Sequence, residues 1–161
     1  MIILAGGNSH RFKSNIGKPY QKIGGKSLIE INLIKARKFK EIRKIVLVYN
    51  KKDSKRVSSL KLKNINLVIG GKNRQRSTFN ALKYLINQKS PTNILIHDVA
   101  RPNFSTKLLS SILRNMRNAR AVVPKIKKCK VTYWRQNKTR IDIQCLTLFD
   151  QKKSYIKSFN S

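Results

Sequence analysis

Six carboxylates are all this chain has: Glu30, Glu41, Asp53, Asp98, Asp142 and Asp150. Any chemistry that needs an acid, such as holding Mg²⁺, must draw on them, and hydrolysis by paired carboxylates is poorly served. Asp98 stands apart because it ends an apolar run, Asn93-Ile94-Leu95-Ile96-His97, and is followed by Val99-Ala100-Arg101-Pro102. An acid at the carboxyl end of a buried strand is a candidate metal or ribose ligand. The alternative is an Asx turn or helix cap, with Arg101 as a simple ion-pair partner. His97 reads as a packed strand-end residue rather than a base. Among the cations, Arg11 and Lys18 are spaced seven residues apart. They follow Ile2-Ile3-Leu4-Ala5, which breaks into Gly6-Gly7-Asn8-Ser9. Glycines let a backbone approach a ligand closely and present N–H groups to an anion. A strand, a Gly-rich turn and two spaced cations suit a polyphosphate. An ordinary turn with solvated cations is the other reading. The stretch is neither a P-loop nor the dinucleotide fingerprint G-x-G-x-x-G.

A second glycine loop, Gly70-Gly71-Lys72-Asn73-Arg74-Gln75-Arg76-Ser77, follows the short apolar run Asn66-Leu67-Val68-Ile69. A helix beginning near Ser77 would offer free N–H groups to an anion or to the polar edge of a base. A plain N-cap Ser after a βα turn fits the residues equally well.

The elements that must position these loops are legible from pattern. Buried strands are predicted at Ile2–Ala5, Ile45–Tyr49 and Asn93–His97, with further strands at Asn66–Ile69 (short) and Ala121–Pro124. Gly24-Gly25-Lys26 reads as a turn. Ser27 and Glu30 form a capping box, opening a helix to about Lys40 with Leu28, Ile31 and Ile34 on one face. A weak helix is expected around Val57–Leu60, and another carries Leu82, Leu85 and Ile86. A further helix is capped at Ser105-Thr106, with Leu108, Leu109, Ile112, Leu113 and Met116 on its apolar face. Alternation of strand and helix implies a three-layer α/β/α fold with a mostly parallel, Rossmann-like sheet. After Pro124 the character changes: four of the six residues Lys125–Lys130 are basic, Lys130–Ile143 could form a β-hairpin about Gln136-Asn137-Lys138, and Gln144–Ser161 shows no convincing core pattern.

The chain has 161 residues, 40% of them hydrophobic, enough for one domain with a core. It carries 37 Lys+Arg against 6 Asp+Glu, formally +31. Such a field attracts nucleotides, nucleic acid and acidic surfaces, but the charge is spread along the whole chain, as a Lys-favouring genome would also produce. Cys129 and Cys145 lack metal-ligand spacing, which points to a reduced intracellular protein. No apolar run is long enough to span a membrane. A cytoplasmic location is expected.

The loop L-A-G-G-N-S-H-R-F-K-S-N-I-G-K-P-Y-Q-K-I-G-G-K-S-L-I-E resembles the signature of sugar-nucleotide-type nucleotidyltransferases. The Arg11-to-Lys18 spacing, the Gly70–Ser77 loop and His97-Asp98-Val99-Ala100-Arg101-Pro102 together resemble the methylerythritol-phosphate cytidylyltransferase family, over roughly residues 2–124. That resemblance implies CTP and a branched sugar-alcohol phosphate as substrates, and Mg²⁺ or another divalent cation as cofactor. Arg11 and Lys18 would be catalytic. Ala5, Gly6, Gly7, Asn8, Ser9, Gly70, Gly71, Arg74, Ser77 and Ala100 would bind the nucleotide, with Gly71 and Ser77 at the cytosine edge. Asp98 would hold the metal, with Arg101 beside it. Residues 1–124 would be the catalytic core, 125–143 a dimerisation hairpin arm in a homodimer, and 144–161 an incomplete or atypical tail.

Departures from the family pattern are local. Ser9 replaces the second loop glycine, Gly17 and Pro19 flank Lys18, and Arg76 replaces an acid. The Asp-Thr pair expected around Lys127–Val131, the Thr-Asp-Glu segment and a later acceptor-binding Lys are absent. Family chains are longer, and in some bacteria the domain is fused to cyclodiphosphate synthase, so a truncated or frame-shifted product is the expectation. Two other readings stay open: an inactive nucleotide-binding remnant, and a basic nucleic-acid-binding module, against which stand few aromatic residues and no RNA motif.

Overall fold

A computed structural model describes residues 1–7, 16–60, 62–88, 93–119, 121–124 and 146–150. In chain order the elements are β1 (Ile2–Leu4), β2 (Lys22–Ile23), β3 (Lys26–Ser27), α1 (Leu28–Arg37), β4 (Val46–Tyr49), α2 (Ser54–Ser59), β5 (Asn66–Ile69), α3 (Arg74–Ile86), β6 (Asn93–Asp98), α4 (Thr106–Asn115), β7 (Ala121–Val122) and β8 (Leu146–Asp150). The main sheet runs β5-β4-β1-β6-β8-β7. Its first four strands are mutually parallel, while β8 runs antiparallel to both β6 and β7. Strands β2 and β3 form a separate small hairpin.

The layers follow from side-chain alternation along the strands. Ile3 and Leu47 pack with Leu28, Ile29, Leu33 and Ala36 of α1 and Val57 of α2. Ile2, Leu4, Val46, Val48, Ile94 and Ile96 face the other way, against Ala81 and Leu85 of α3. Leu95 packs with Leu109 and Ile112 of α4 on the α1 side. Helix α3 thus covers one face, and α1, α2 and α4 the other. Burial on both faces explains why the central strands read as unbroken apolar runs. No helix among the described residues is long and apolar enough to cross a membrane.

Four expectations are corrected. The buried stripe of α1 is Leu28, Ile29, Asn32, Leu33 and Ala36, whereas Ile34 is exposed and Ile31 half-buried. Apolar residues surround this helix, so periodicity alone could not choose the stripe that meets the sheet. Helix α1 ends at Arg37 rather than about Lys40. Helix α3 starts at Arg74, not near Ser77, because Asn73 supplies the cap: its side chain accepts from the Arg76 N–H at 2.8 Å. The segment after Gln144 does contain a strand, β8, which lies between β6 and β7. A short strand needs only partners with free edges, and its own five residues show no strong alternation. The hairpin expected over Lys130–Ile143 lies outside the described residues.

Candidate active site

Because β1, β4, β5 and β6 are parallel, their carboxyl ends share one edge of the sheet. The chain leaves β1 toward β4 and leaves β6 on the opposite side, toward β7. Where neighbouring strands send their connections apart, a crevice opens at their carboxyl ends, the usual ligand position in such sheets. Leu4 is in register with Asp98 across this divergence. Ala5-Gly6-Gly7 and Asp98–Arg101 therefore emerge side by side. Ala5 is buried and its N–H donates to Val48 O at 2.7 Å, while Gly7 is exposed and a Cβ there would meet nothing within 4 Å. Asn8, Ser9 and Arg11 lie outside the described residues.

Asp98 joins two loops. The Nε of Arg74 donates to its Oδ1 at 3.2 Å, and the Nε of Arg101 stands 3.9 Å from its Oδ2. All three side chains are partly solvated, so these pairs orient the carboxylate more than they stabilise the fold. The Arg101 distance is too long for a hydrogen bond, so Oδ2 keeps lone pairs for another partner. Ala100, next in the same loop, is exposed.

The loop after β5 is braced from within. Ser77 is buried in the first turns of α3, where its Oγ accepts from the Gly71 N–H at 3.0 Å. A Cβ on Gly70 would come 2.9 Å from that Oγ, and one on Gly71 would come 2.3 Å from Arg76 Cγ and 3.2 Å from the Arg76 backbone carbon. Only glycine lets the chain close this tightly on the helix start. The first turn of α3 has no acid, so its positive end carries Arg74 and Arg76 and favours an anion nearby.

Lys18 opens a single 3₁₀ turn, Lys18–Tyr20, in which Pro19 and Tyr20 are buried while Lys18 is exposed. The ring of Tyr20 lies 5.1 Å from the Arg56 guanidinium, which in turn pairs with Asp53 at 3.6 Å. Burial, and secondly the charge of Asp53, pushes the Tyr20 phenol above its usual range. Asp53 and Arg56 follow β4, so this packing holds the Lys18–Tyr20 turn against the segment after that strand.

Two further residues were not singled out by their types. Asn32 of α1 is completely buried. Its Nδ2 donates to Leu28 O at 2.7 Å and to Val99 O at 2.9 Å, and its Oδ1 meets His97 Nε2 at 2.8 Å. Lys35, one turn on, donates to Pro102 O at 2.6 Å. The available signal was an Asn four residues after Leu28, inside an apolar helix. His97 is buried and packs edge-on to Phe104 at 4.8 Å between ring centroids, as a strand-end core residue should.

Among the described residues no group of three or more His, Cys, Asp or Glu could hold a metal. A divalent cation held by Asp98 would draw its other oxygens from water and phosphate. That fits Mg²⁺, which commonly uses one or two carboxylates together with substrate phosphates.

Comparison with known proteins bears on this geometry. The family model of 2-C-methyl-D-erythritol 4-phosphate cytidylyltransferase (IspD) matches residues 1–144. The bifunctional enzyme IspD/IspF of Pelagibacter ubique is 46% identical over 125 residues, covering 78% of this chain and 33% of that protein. The bifunctional ribulose 5-phosphate reductase/CDP-ribitol pyrophosphorylase Bcs1 of Haemophilus influenzae is 34% identical over 126 residues, 75% of this chain and 27% of its own length. The 2-C-methyl-D-erythritol 4-phosphate cytidylyltransferase of Thermosipho melanesiensis is 39% identical over 122 residues, 71% of this chain and 51% of its own. The crystal structure of 4-diphosphocytidyl-2C-methyl-D-erythritol synthase from Anaerococcus prevotii superposes with a TM-score of 0.73 at 29% identity, covering 92% of this chain and 68% of that one. The chain spans between about a quarter and a half of the length of these curated relatives. With a family model matched across residues 1–144 and these relatives, the chain belongs to the 2-C-methyl-D-erythritol 4-phosphate cytidylyltransferase family.

Proposed function

We propose that this chain is a cytidylyltransferase that joins CTP to 2-C-methyl-D-erythritol 4-phosphate. A phosphate oxygen of the acceptor attacks the α-phosphorus of CTP, the bond from that phosphorus to the bridging oxygen breaks, and pyrophosphate leaves with the bonding electrons. The product is 4-diphosphocytidyl-2-C-methyl-D-erythritol. The nucleophile is already an anion near neutral pH, because a phosphate monoester loses its second proton with a pKa of about 6. No general base is then needed, in keeping with a chain poor in acids and with the burial of His97. What the reaction needs is positioning and cations at the α-phosphate.

In this reading the Gly6–Arg11 turn wraps the triphosphate, and Arg11 and Lys18 offset the charge that builds on the α-phosphate. Gly71 and Ser77 bring the loop after β5 to the cytosine edge, and Ala100 lies against the ribose. Asp98 would hold Mg²⁺, which when bound neutralises phosphate charge. Residues 125–143 serve as a homodimer arm, and the chain works in the cytoplasm, alone or joined to a cyclodiphosphate synthase domain; two similar proteins are named as bifunctional, IspD/IspF and IspDF.

The observation that carries the reading is the Arg74–Asp98 contact at 3.2 Å. It links the start of α3, just after the glycine loop that follows β5, to the acid that ends β6, beside the divergence of β1 and β6. Pyrophosphate release from CTP with Mg²⁺ and methylerythritol phosphate, against the other nucleoside triphosphates, tests it. Ribitol 5-phosphate belongs in the same assay as a second acceptor, given the name of the Haemophilus relative. Release with CTP and methylerythritol phosphate above all other pairs is expected, and equal rates with every nucleotide would overturn the reading.

A further inference from the structure

We propose that Asn32 is a positioning residue for Asp98, acting through His97 and Val99, the two residues that flank it in the chain. This inference rests on the nucleotidyl-transfer reading for what Asp98 does. It rests on geometry alone for what Asn32 does.

Asn32 gives both amide hydrogens to main-chain carbonyls, Leu28 O in its own helix and Val99 O across the core. An amide carries two N–H donors, so Oδ1 is left as acceptor only. His97 Nε2, 2.8 Å away, must then carry the proton and donate to it. One fully buried side chain in α1 thus grips the residue before Asp98 by its ring and the residue after it by its carbonyl. Main-chain bonds complete the frame: Val99 N–H donates to Leu4 O at 3.1 Å and Arg101 N–H to Asp98 O at 3.0 Å. Lys35 holds the loop farther on at Pro102 O. Among the described residues, the Asp98 carboxylate pairs with the partly exposed Arg74 and Arg101. The backbone that aims its carboxylate is therefore set from beneath by Asn32. A buried polar group with every hydrogen bond made specifies one geometry, and losing one partner strands the others.

The test uses the whole chain with three variants: Asn32→Leu, which keeps shape but no hydrogen bond, His97→Phe, which removes the donor, and His97→Gln, which retains one. In folded Asn32→Leu, amide hydrogen exchange should quicken at Val99 and Arg101, while β4 amides stay protected. CTP affinity measured with Mg²⁺ should fall about tenfold, the scale seen when outer partners of metal ligands are removed, and metal-free CTP affinity should stay within about twofold. General damage to the fold would lower both affinities, so the split is specific to aiming the carboxylate. His97→Phe should reproduce the loss and His97→Gln should recover most of it. If Asn32→Leu does not fold, the two His97 variants decide the matter. Unchanged exchange at Val99 and Arg101 together with unchanged Mg²⁺-dependent affinity, or equal losses in His97→Gln and His97→Phe, would overturn the proposal. Failure of the unaltered chain to bind CTP would instead overturn the nucleotidyl-transfer reading, and the exchange rates would still decide the role of Asn32.

Discussion

At the scale of single residues, the proposed function divides the site into groups that would touch ligand and groups that would aim them. Lys18 falls in the first class under that proposal: it is exposed, and the buried Pro19-Tyr20 beside it does the anchoring. Lys18→Ala should therefore leave the melting temperature nearly unchanged while turnover falls by about 10²-fold or more, the usual cost of losing a donor aimed at developing charge. Arg11→Ala should act in the same direction. Near-normal turnover in both variants would remove them from the catalytic role. Asp98→Asn keeps shape and the contact with Arg74 but gives up the charge. It should weaken CTP binding in Mg²⁺ with little effect in its absence, as read by a titration at several metal concentrations. An unchanged metal dependence would show that the cation is held elsewhere.

Elements place these residues through their ends. Helix α1 begins at a complete capping box: Glu30 accepts from the Ser27 N–H and Oγ at 2.7 Å each, and Ser27 Oγ accepts from the Glu30 N–H at 3.2 Å. These hydrogen bonds to Ser27, the side-chain one first, hold the Glu30 carboxyl below its ordinary value of 4.5. A carboxyl whose pKa is lower folded than unfolded stabilises the fold above the unfolded value and loses that contribution as pH falls through the folded one. Glu30→Gln should thus melt lower than the native chain at pH 7, by an amount corresponding to roughly 1 kcal/mol or less. The two melting curves should converge as pH drops below the ordinary carboxylate range. A gap independent of pH between 7 and 3 would mean that the charged form has no special role in the cap. Through Asn32 and Lys35 this same helix reaches the Val99–Pro102 loop, so the cap also bears on the site.

For the whole molecule, the strand order β5-β4-β1-β6 brings the loops proposed to hold the nucleotide to one edge of the sheet. Segments that the resemblance assigns to the acceptor fall after Pro124, where Lys and apolar residues stand in place of the expected Asp-Thr pair. Extra cations draw an acceptor phosphate through the general field, but they do not replace directed hydrogen bonds. Calorimetry on this 161-residue chain should accordingly show saturable CTP binding and much weaker binding of methylerythritol phosphate. Tight acceptor binding with full turnover would show that the segment after Pro124 is a working variant. Acceptor binding that does occur should weaken steeply with added salt, because a field of +31 is screened over about 10 Å at 0.1 M.

What the amino-acid order determined by itself was local or periodic. Double-sided burial makes β1, β4 and β6 unbroken apolar runs, the Ser27-to-Glu30 spacing makes the cap, and Gly70-Gly71 marks a loop where a side chain would collide. Asp98 at a strand's carboxyl end was visible for the same reason. Only the tertiary structure decided which stripe of α1 meets the sheet, since apolar residues lie on several of its sides and contact energy with the sheet chooses among them. It also decided the start of α3, where two competing caps lay four residues apart, and the insertion of β8, whose five residues gain stability only from strands distant in sequence. The pairing of Arg74 with Asp98 joins residues 24 apart, and the grip of Asn32 on His97 and Val99 spans 65 and 67. Such contacts have no sequence period, because they exist only once the strands have set which loops are neighbours.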